Sequence, residues 1–174
     1  MKDGVSVDYE LKEMSLDLIS KELYDMYQDI PLKESGSTNL CNGLPFEVFG
    51  TYLEKELARK FQRVSFYDTP TIIYILFVEN YPVGYIGLRT EIDENWRKWS
   101  GNFYYVIRKS ERGKGYGNVI LKLALDEFRK MKFNEVVSNA SAGNVTSVKV
   151  IENNGGVFIK EINGSRYYKI ELQR

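Results

Sequence analysis

The sequence contains no histidine among its 174 residues. This absence excludes the serine–histidine and cysteine–histidine pairs that activate nucleophiles, and it removes a common ligand of catalytic zinc. We therefore expect no metal site. Any chemistry has to use carboxylates, phenols, amines, backbone groups or water.

Cysteine is almost absent as well, since Cys41 is the one thiol. An internal disulfide is excluded, and the composition fits a reducing compartment. No stretch has the length of a membrane span or of a signal-peptide core, so we expect a cytoplasmic protein without a membrane partner. Lysine plus arginine equal aspartate plus glutamate at 24 each. The chain therefore has no net positive charge that would attract nucleic acid, and we expect no nucleic-acid partner.

Hydrophobic residues make up 43% of the chain and aromatic residues 14%, which suffices for one core, so we expect a single domain over residues 1–174. The periodicity of apolar residues predicts an α+β domain with helices on the faces of a sheet. The predicted elements, in order, are an edge strand at 8–14, a helix from Ser15 to Pro31, an irregular loop at 32–45, a helix from Phe46 to Leu57, a hairpin at 71–92 turning at 80–82, a strand at 102–109, a helix at 117–132, a strand at 135–141, a helix at 144–153 and a strand pair at 156–162 and 166–172.

The segment "RGKGYG", residues 112–117, lies between a predicted strand and a predicted helix. Its glycines permit positive φ and let a ligand approach the backbone, while the helix N-terminus and two basic side chains favour an anion. The segment therefore indicates a phosphate or pyrophosphate site, or else a plain turn with solvated basic residues. A P-loop and a dinucleotide fingerprint both fail on spacing, because Asn118 follows Gly117 and the glycines alternate.

Two motifs resemble those of the GCN5-related N-acetyltransferase (GNAT) superfamily. Arg112-x-x-Gly115-x-Gly117 after "YYVIRKSE" resembles the coenzyme A pyrophosphate loop, and "NVTSVKVIENNGG" at 144–156 resembles the fourth helix. The stretch "LRTEIDENWRKWSGNFYYVIRKSERGKGYG" is similar to a subgroup of predicted bacterial acetyltransferases. The resemblance implies a GNAT-like acyl-CoA N-acyltransferase fold, with a mixed, mostly antiparallel central sheet of about seven strands and helices on both faces.

The resemblance also implies a binding site for acetyl-CoA as cosubstrate. Its pyrophosphate would be held by the backbone N–H groups of Arg112, Gly113, Lys114, Gly115, Tyr116, Gly117 and Asn118. The backbone of Val106 and Ile107 would pair with the pantetheine arm, and Asn144 and Ser147 would hydrogen-bond it. The residues alone leave plainer roles open: a helix N-cap for Asn144, a surface position for Ser147, and core positions for Val106 and Ile107.

At two positions where members of the family carry catalytic side chains, this chain has other residues. By resemblance, the N–H of Tyr105 polarises the thioester carbonyl. Where many members carry an acid tyrosine this chain has Ile151, and where some carry a base glutamate it has Gly101. Glu91 is our candidate base, acting through water, with a solvated loop carboxylate as the alternative. Trp96 and Trp99 either line an acceptor pocket or cover the sheet.

The predicted function is transfer of the acetyl group of acetyl-CoA to a primary amine by direct attack. The acceptor stays open between a small-molecule amine and an amine of a peptide or protein, and a homodimer is compatible with the sequence. The alternative is a catalytically degenerate acetyl-CoA-binding module with a sensing or assembly role, which the empty positions 101 and 151 favour.

Overall fold

The computed structural model describes residues 7–34, 37–61, 69–93 and 100–172, so Trp96 and Trp99 lie outside the described residues. The strands are β1 (Tyr9–Glu13), β2 (Lys33–Glu34), β3 (Ser37–Thr38), β4 (Thr71–Val78), β5 (Tyr81–Arg89), β6 (Phe103–Ile107), β7 (Glu135–Ser141), β8 (Gly156–Ile162) and β9 (Ser165–Glu171). The α-helices are α1 (Lys21–Asp29), α2 (Phe49–Ala58), α3 (Tyr116–Lys130) and α4 (Val145–Asn153), with 3₁₀ turns at Leu16–Leu18, Phe46–Val48 and Lys109–Glu111. Of the helices in these ranges, none is long and apolar enough to cross a membrane.

The strands form a four-stranded sheet in the order β1-β4-β5-β6 and a three-stranded sheet in the order β7-β9-β8, with antiparallel pairing inside each. The two sheets meet where the N–H of Asn102 donates to the carbonyl of Val137 at 2.7 Å. Gly101 and Ser138 form an isolated bridge at the same place. Beyond this point no pairing between β6 and β7 is described, so the two strands separate and leave a cleft.

Helices cover both faces of the four-stranded sheet, as predicted. On one face, α3 presents Ile120, Leu121, Ala124, Leu125 and Phe128 at helical spacing to the strands. On the other face, α1 and α2 pack against β4 and β5. Because both faces are covered, β4 and β5 read as continuous apolar runs rather than as alternating strands.

The first helix starts later than the sequence predicts. Ser15 precedes only the 3₁₀ turn, and α1 begins at Lys21, where the side chain of Ser20 accepts a hydrogen bond from the N–H of Leu23 at 3.1 Å. The predicted N-cap at Ser15 was therefore wrong, because the serine five residues later caps the α-helix. The predicted end before Pro31 is confirmed.

The hairpin turn also lies elsewhere. The turn residues are Glu79 and Asn80, at φ of 50° and 62°, rather than residues 80–82. Two consecutive positive φ values suit a two-residue hairpin turn, and Pro82 is accommodated inside β5 next to a register shift. In the described part of the loop predicted at 32–45, β2 pairs with β3.

Candidate functional site

The glycines between β6 and α3 serve two different purposes. Gly113 and Gly115 have φ of 78° and 84°, which side-chain-bearing residues rarely adopt, and Gly115 is the N-cap of α3. Gly117 lies in the first helical turn, where an added Cβ would come within 3.1 Å of the Val150 side chain. The loop thus presents the N–H groups of a helix N-terminus and brings α4 close to it. Two of the predicted pyrophosphate donors are already bonded within the loop: the N–H of Arg112 donates to the carbonyl of Lys109 at 3.3 Å, and that of Asn118 to the carbonyl of Gly115 at 3.0 Å.

The basic side chains of this loop are held by neighbours. Nε of Arg112 donates to the carbonyl of Ile107 at 3.0 Å, and its Nη2 lies 3.4 Å from a carboxylate oxygen of Glu34. Lys114 turns toward Glu111, with Nζ and Oε2 2.8 Å apart, and this hydrogen bond raises the pKa of Lys114. Arg112 therefore faces the space in front of the loop, whereas Lys114 does not.

A cleft of about 820 Å³ opens between β6, the glycine loop and α4. The structure brings nearly all of the predicted coenzyme residues to its wall: Tyr105, Val106, Ile107, Arg112, Gly113, Gly115, Tyr116, Gly117, Asn118, Asn144 and Ser147. Lys114 does not line it. Glu34, Glu111 and Lys149 also line the cleft and were not predicted from the sequence. Glu34 belongs to a hairpin far away in the sequence, and no motif indicates that it approaches the loop.

The open edge of β6 offers backbone groups from alternate residues. The N–H of Arg108 donates to Val83 at 2.9 Å, and a Cβ on Gly84 would lie 2.4 Å from the carbonyl oxygen of Val106, so both residues face β5. By alternation the polar groups of Tyr105 and Ile107 face the cleft. For Val106 this geometry corrects the pairing expected from the resemblance, because its polar groups are directed into the sheet.

Two residues of α4 face β6 across the cleft. The side chain of Asn144 caps α4 by accepting from the N–H of Ser147 at 3.1 Å. The Ser147 hydroxyl lies 3.4 Å from the phenol oxygen of Tyr105. Burial raises the pKa of Tyr105, and the Ser147 contact only partly offsets it, so the phenol keeps its proton near neutral pH.

The cleft continues into a second cavity of about 260 Å³, where β6 and β7 separate; Tyr105, Asn144 and Ser147 line both. Ile151 lines this second cavity, so its wall is apolar where the resemblance would place an acid tyrosine. Gly101 cannot carry a side chain, because a Cβ there would lie 2.4 Å from the carbonyl oxygen of Val137 at a φ of 74°. The close approach of β7 thus explains why no glutamate stands at residue 101.

A third, smaller cavity of about 80 Å³ lies on the opposite face of the sheet, against α1 and α2. Tyr104 lines both this cavity and the second one. Glu91, the candidate base, is exposed in the loop after β5, and its carbonyl accepts a hydrogen bond from Thr69. It lines none of the three cavities, so the structure does not bring it to the site and its role stays a prediction. Among the described residues, no group of three or more metal-ligating side chains lies together.

Residues 46–157 match the family model described as an acetyltransferase (GNAT) domain. No protein with a curated function matches the chain in sequence. Solved structures with the same fold include the ribosomal α-N-protein acetyltransferase RimL in complex with coenzyme A (16% identity, 96% of each chain covered, TM-score 0.68). Two others are the dodecameric spermidine N-acetyltransferase of Vibrio cholerae (17%, 94% of each chain, 0.61) and the Campylobacter jejuni N-acetyltransferase PseH with acetyl coenzyme A (13%, 94% of this chain and 99% of that one, 0.60). The identities are low, and the similarities to these three structures show the fold.

Proposed function

The chain belongs to the GNAT acetyltransferase family, and from this we propose that it transfers the acetyl group of acetyl-CoA to a primary amine by direct attack. The observation that carries the proposal is the continuous path from the glycine loop, along the open edge of β6, to the place where β6 and β7 separate. A glycine loop at a helix N-terminus at one end and the open edge of β6 beyond it suit a long ligand with a diphosphate and a peptide-like arm.

The residues of the cleft fit acetyl-CoA from end to end. The α3 N-terminus and Arg112 provide N–H donors and positive charge for the pyrophosphate. The polar groups of Ile107 and Tyr105 are directed to the open edge, where a pantetheine amide can pair as a neighbouring strand would. Asn144 and Ser147 offer side-chain oxygens from the other wall.

The first cost of the reaction is loss of a proton from the acceptor amine. An amine with a pKa of about 10.4 is neutral in roughly one molecule per 2,500 at pH 7, a deficit of about 4.6 kcal/mol. Its nitrogen attacks the thioester carbon, the C–N bond forms, the C–S bond breaks, the thiolate leaves and water takes the ammonium proton. The N–H of Tyr105 stabilises the negative charge that develops on the carbonyl oxygen.

The test combines ligand binding with turnover. Acetyl-CoA is expected to raise the melting temperature, because a ligand that binds only the native state stabilises it. An amine panel, followed through release of free thiol, is expected to yield at least one acceptor. Binding without turnover of any amine would favour the degenerate binding module, and no binding at all would refute the proposal.

A further inference from the structure

Asn102 is the last residue before β6 and lies where the two sheets meet. It is 2% exposed, and a buried asparagine is stable only when its polar groups are bonded. Its partners are Arg89 at the end of β5 and Val137 in β7, which belong to different sheets. Asn102 therefore connects the four-stranded sheet to the three-stranded one.

The backbone and the side chain of Asn102 bond to the same two residues. Its carbonyl accepts a hydrogen bond from the N–H of Arg89 at 2.7 Å, and its N–H donates to the carbonyl of Val137 at 2.7 Å. Its Nδ2 donates to the carbonyl of Arg89 at 3.3 Å, and its Oδ1 accepts from the N–H of Val137 at 2.9 Å. A carboxamide suits this place, because one planar group supplies a donor to one sheet and an acceptor to the other.

The side chain of Asn102 takes the place of backbone between β6 and β7. In a continuous sheet the N–H of Val137 would donate to a backbone carbonyl of the neighbouring strand. Here it donates to Oδ1 of Asn102, while residues 103–107 pair with β5 on their other edge. The asparagine side chain thus joins the two sheets and interrupts the backbone pairing at the same point.

The cavity of about 260 Å³ begins directly after this junction. One wall carries Phe103, Tyr104 and Tyr105, which follow Asn102, and the other wall carries residues 138–141, which follow Val137. Both walls therefore start at residues that the asparagine holds together. Its side chain determines how far apart the walls are where the cavity begins.

Tyr105, whose N–H is proposed to meet the thioester carbonyl, is only three residues beyond Asn102. Three residues of a strand span about 10 Å, and β6 is paired with β5 along this length, so a shift at the junction is transmitted to Tyr105. The polar groups of Tyr105 also face the edge of β6 to which β7 is attached. Misplacement of a reacting group by about 1 Å can lower a rate about 100-fold.

We propose that Asn102 is a positioning residue for acetyl transfer, whose side-chain amide sets the separation of β6 from β7 and so holds the N–H of Tyr105 at the thioester carbonyl. This inference rests on the proposed acetyl transfer and adds a residue to it. Asn102 lines none of the three cavities, so it acts through Tyr105 and not by contact with acetyl-CoA.

Asn102→Ala tests the proposal, because it removes the side-chain bonds to both sheets and keeps the backbone bonds. We expect kcat to fall about 10- to 100-fold. The Kd for acetyl-CoA should stay within about twofold, because the glycine loop proposed for the pyrophosphate lies at the other end of β6. Asn102→Ser, which leaves a smaller void but cannot reach both strands, is measured as well in case the alanine variant does not fold.

Asn39→Ala is the matched control for lost stability. Asn39 is 1% exposed, and its amide is bonded at both ends: Nδ2 donates to the carbonyls of Tyr27 and Ile30, and Oδ1 accepts from the N–H of Cys41. It lies beside the end of α1, away from the cavity between β6 and β7, so its variant should keep kcat. Full kcat in a folded Asn102 variant, or an equal loss of kcat in Asn39→Ala, would overturn the proposal.

A spectroscopic measurement tests the inference without an acceptor amine. The infrared band of acetyl-CoA that carries an isotopic label at the thioester carbonyl reports how strongly this carbonyl is polarised. We expect the bound band at lower frequency than in solution, both in the unmodified protein and in Asn39→Ala. In Asn102→Ala it should move back toward the solution value.

The outcomes distinguish this inference from the proposed function. If acetyl-CoA does not bind the unmodified protein, the proposed function fails and the inference fails with it. If acetyl-CoA binds and its carbonyl band is lowered equally in the unmodified protein and in Asn102→Ala, only the inference is overturned. A bound band at the solution frequency in the unmodified protein would overturn it as well, while leaving coenzyme binding intact.

Discussion

The carboxylate of Glu34 lies 3.4 Å from Nη2 of Arg112, so the β2–β3 hairpin places a negative charge beside the loop proposed for the pyrophosphate. Both side chains are partly exposed, and a carboxylate here competes with a diphosphate for the same guanidinium.

Glu34→Gln is therefore expected to tighten acetyl-CoA binding about two- to fivefold, the range of a partly exposed ion pair. The gain should shrink at high salt, because screening weakens the repulsion that was removed. Calorimetric titration at two salt concentrations measures both effects. As a control, Glu161→Gln removes a carboxylate from β8, away from the cleft, and should leave the affinity for acetyl-CoA unchanged. Weaker binding of acetyl-CoA by Glu34→Gln would contradict the assignment of the loop.

Gly115→Asp is expected to abolish acetyl-CoA binding, because it adds a carboxylate at the N-cap of α3 where the pyrophosphate is proposed to lie. A control variant separates this effect from the backbone strain that the substitution causes. Gly43 has the same φ of 84°, and at both glycines an added Cβ meets no atom within 4 Å. Gly43→Asp should thus cost similar stability and still bind acetyl-CoA. Unchanged affinity in a folded Gly115→Asp variant would refute the phosphate loop.

Cys41 is not expected to form an acetyl-enzyme. The residue is fully buried, and burial raises the pKa of its thiol to about 11, so hardly any reactive thiolate exists near neutral pH. Cys41→Ser should keep most of the activity. Mass spectrometry after incubation with acetyl-CoA tests the same point, and a stable acetyl group on Cys41 would refute direct transfer.

The pH dependence of kcat/KM is expected to follow the acceptor. With no histidine in the chain and Glu91 outside the cavities, the rate should climb with pH toward the pKa of the amine, because the neutral fraction sets it. Glu91→Gln should have the same profile as the unmodified protein between pH 6 and 10. A plateau that disappears in Glu91→Gln, with about a 100-fold loss of rate, would restore that residue as the base.

Asp29→Asn is expected to destabilise the fold by about 1–3 kcal/mol. Oδ2 of Asp29 accepts hydrogen bonds from Nε of Arg108 at 3.0 Å and from both the N–H and the hydroxyl of Ser110. Burial alone would raise the pKa of Asp29, but the donors from Ser110 and Arg108 outweigh it and lower the pKa. The contribution is present above the unfolded pKa of about 4 and lost as pH falls through the lower folded value. Urea unfolding from pH 7 down to pH 3 should show a weaker acid dependence in the variant; identical curves would contradict this role.

Apolar periodicity and the family resemblance together predicted the fold, and the structure gathers most residues of the predicted coenzyme site along one cleft. The glycine loop and the cap at Asn144 depend on residues close together in sequence, so local motifs that resemble those of the family were enough to locate them. The direction of Val106 was missed because it depends on which edge of β6 pairs with β5. Glu34 approaches Arg112, and Arg89 lies over the ring of Tyr104, from other segments of the chain. The periodicity of the sequence does not indicate such contacts.

Helix α1 contributes Tyr27 to the wall of the third cavity and ends at Asp29, whose carboxylate accepts hydrogen bonds from Arg108 and Ser110 in the stretch that leads from β6 into the glycine loop. The helix on one face of the sheet and the loop at its edge are thereby joined at one carboxylate. If an equilibrium shift of α1 is coupled to the loop through these hydrogen bonds, the coupling acts equally in both directions, so a ligand at the loop would stabilise the position of α1 as much as the helix stabilises the loop.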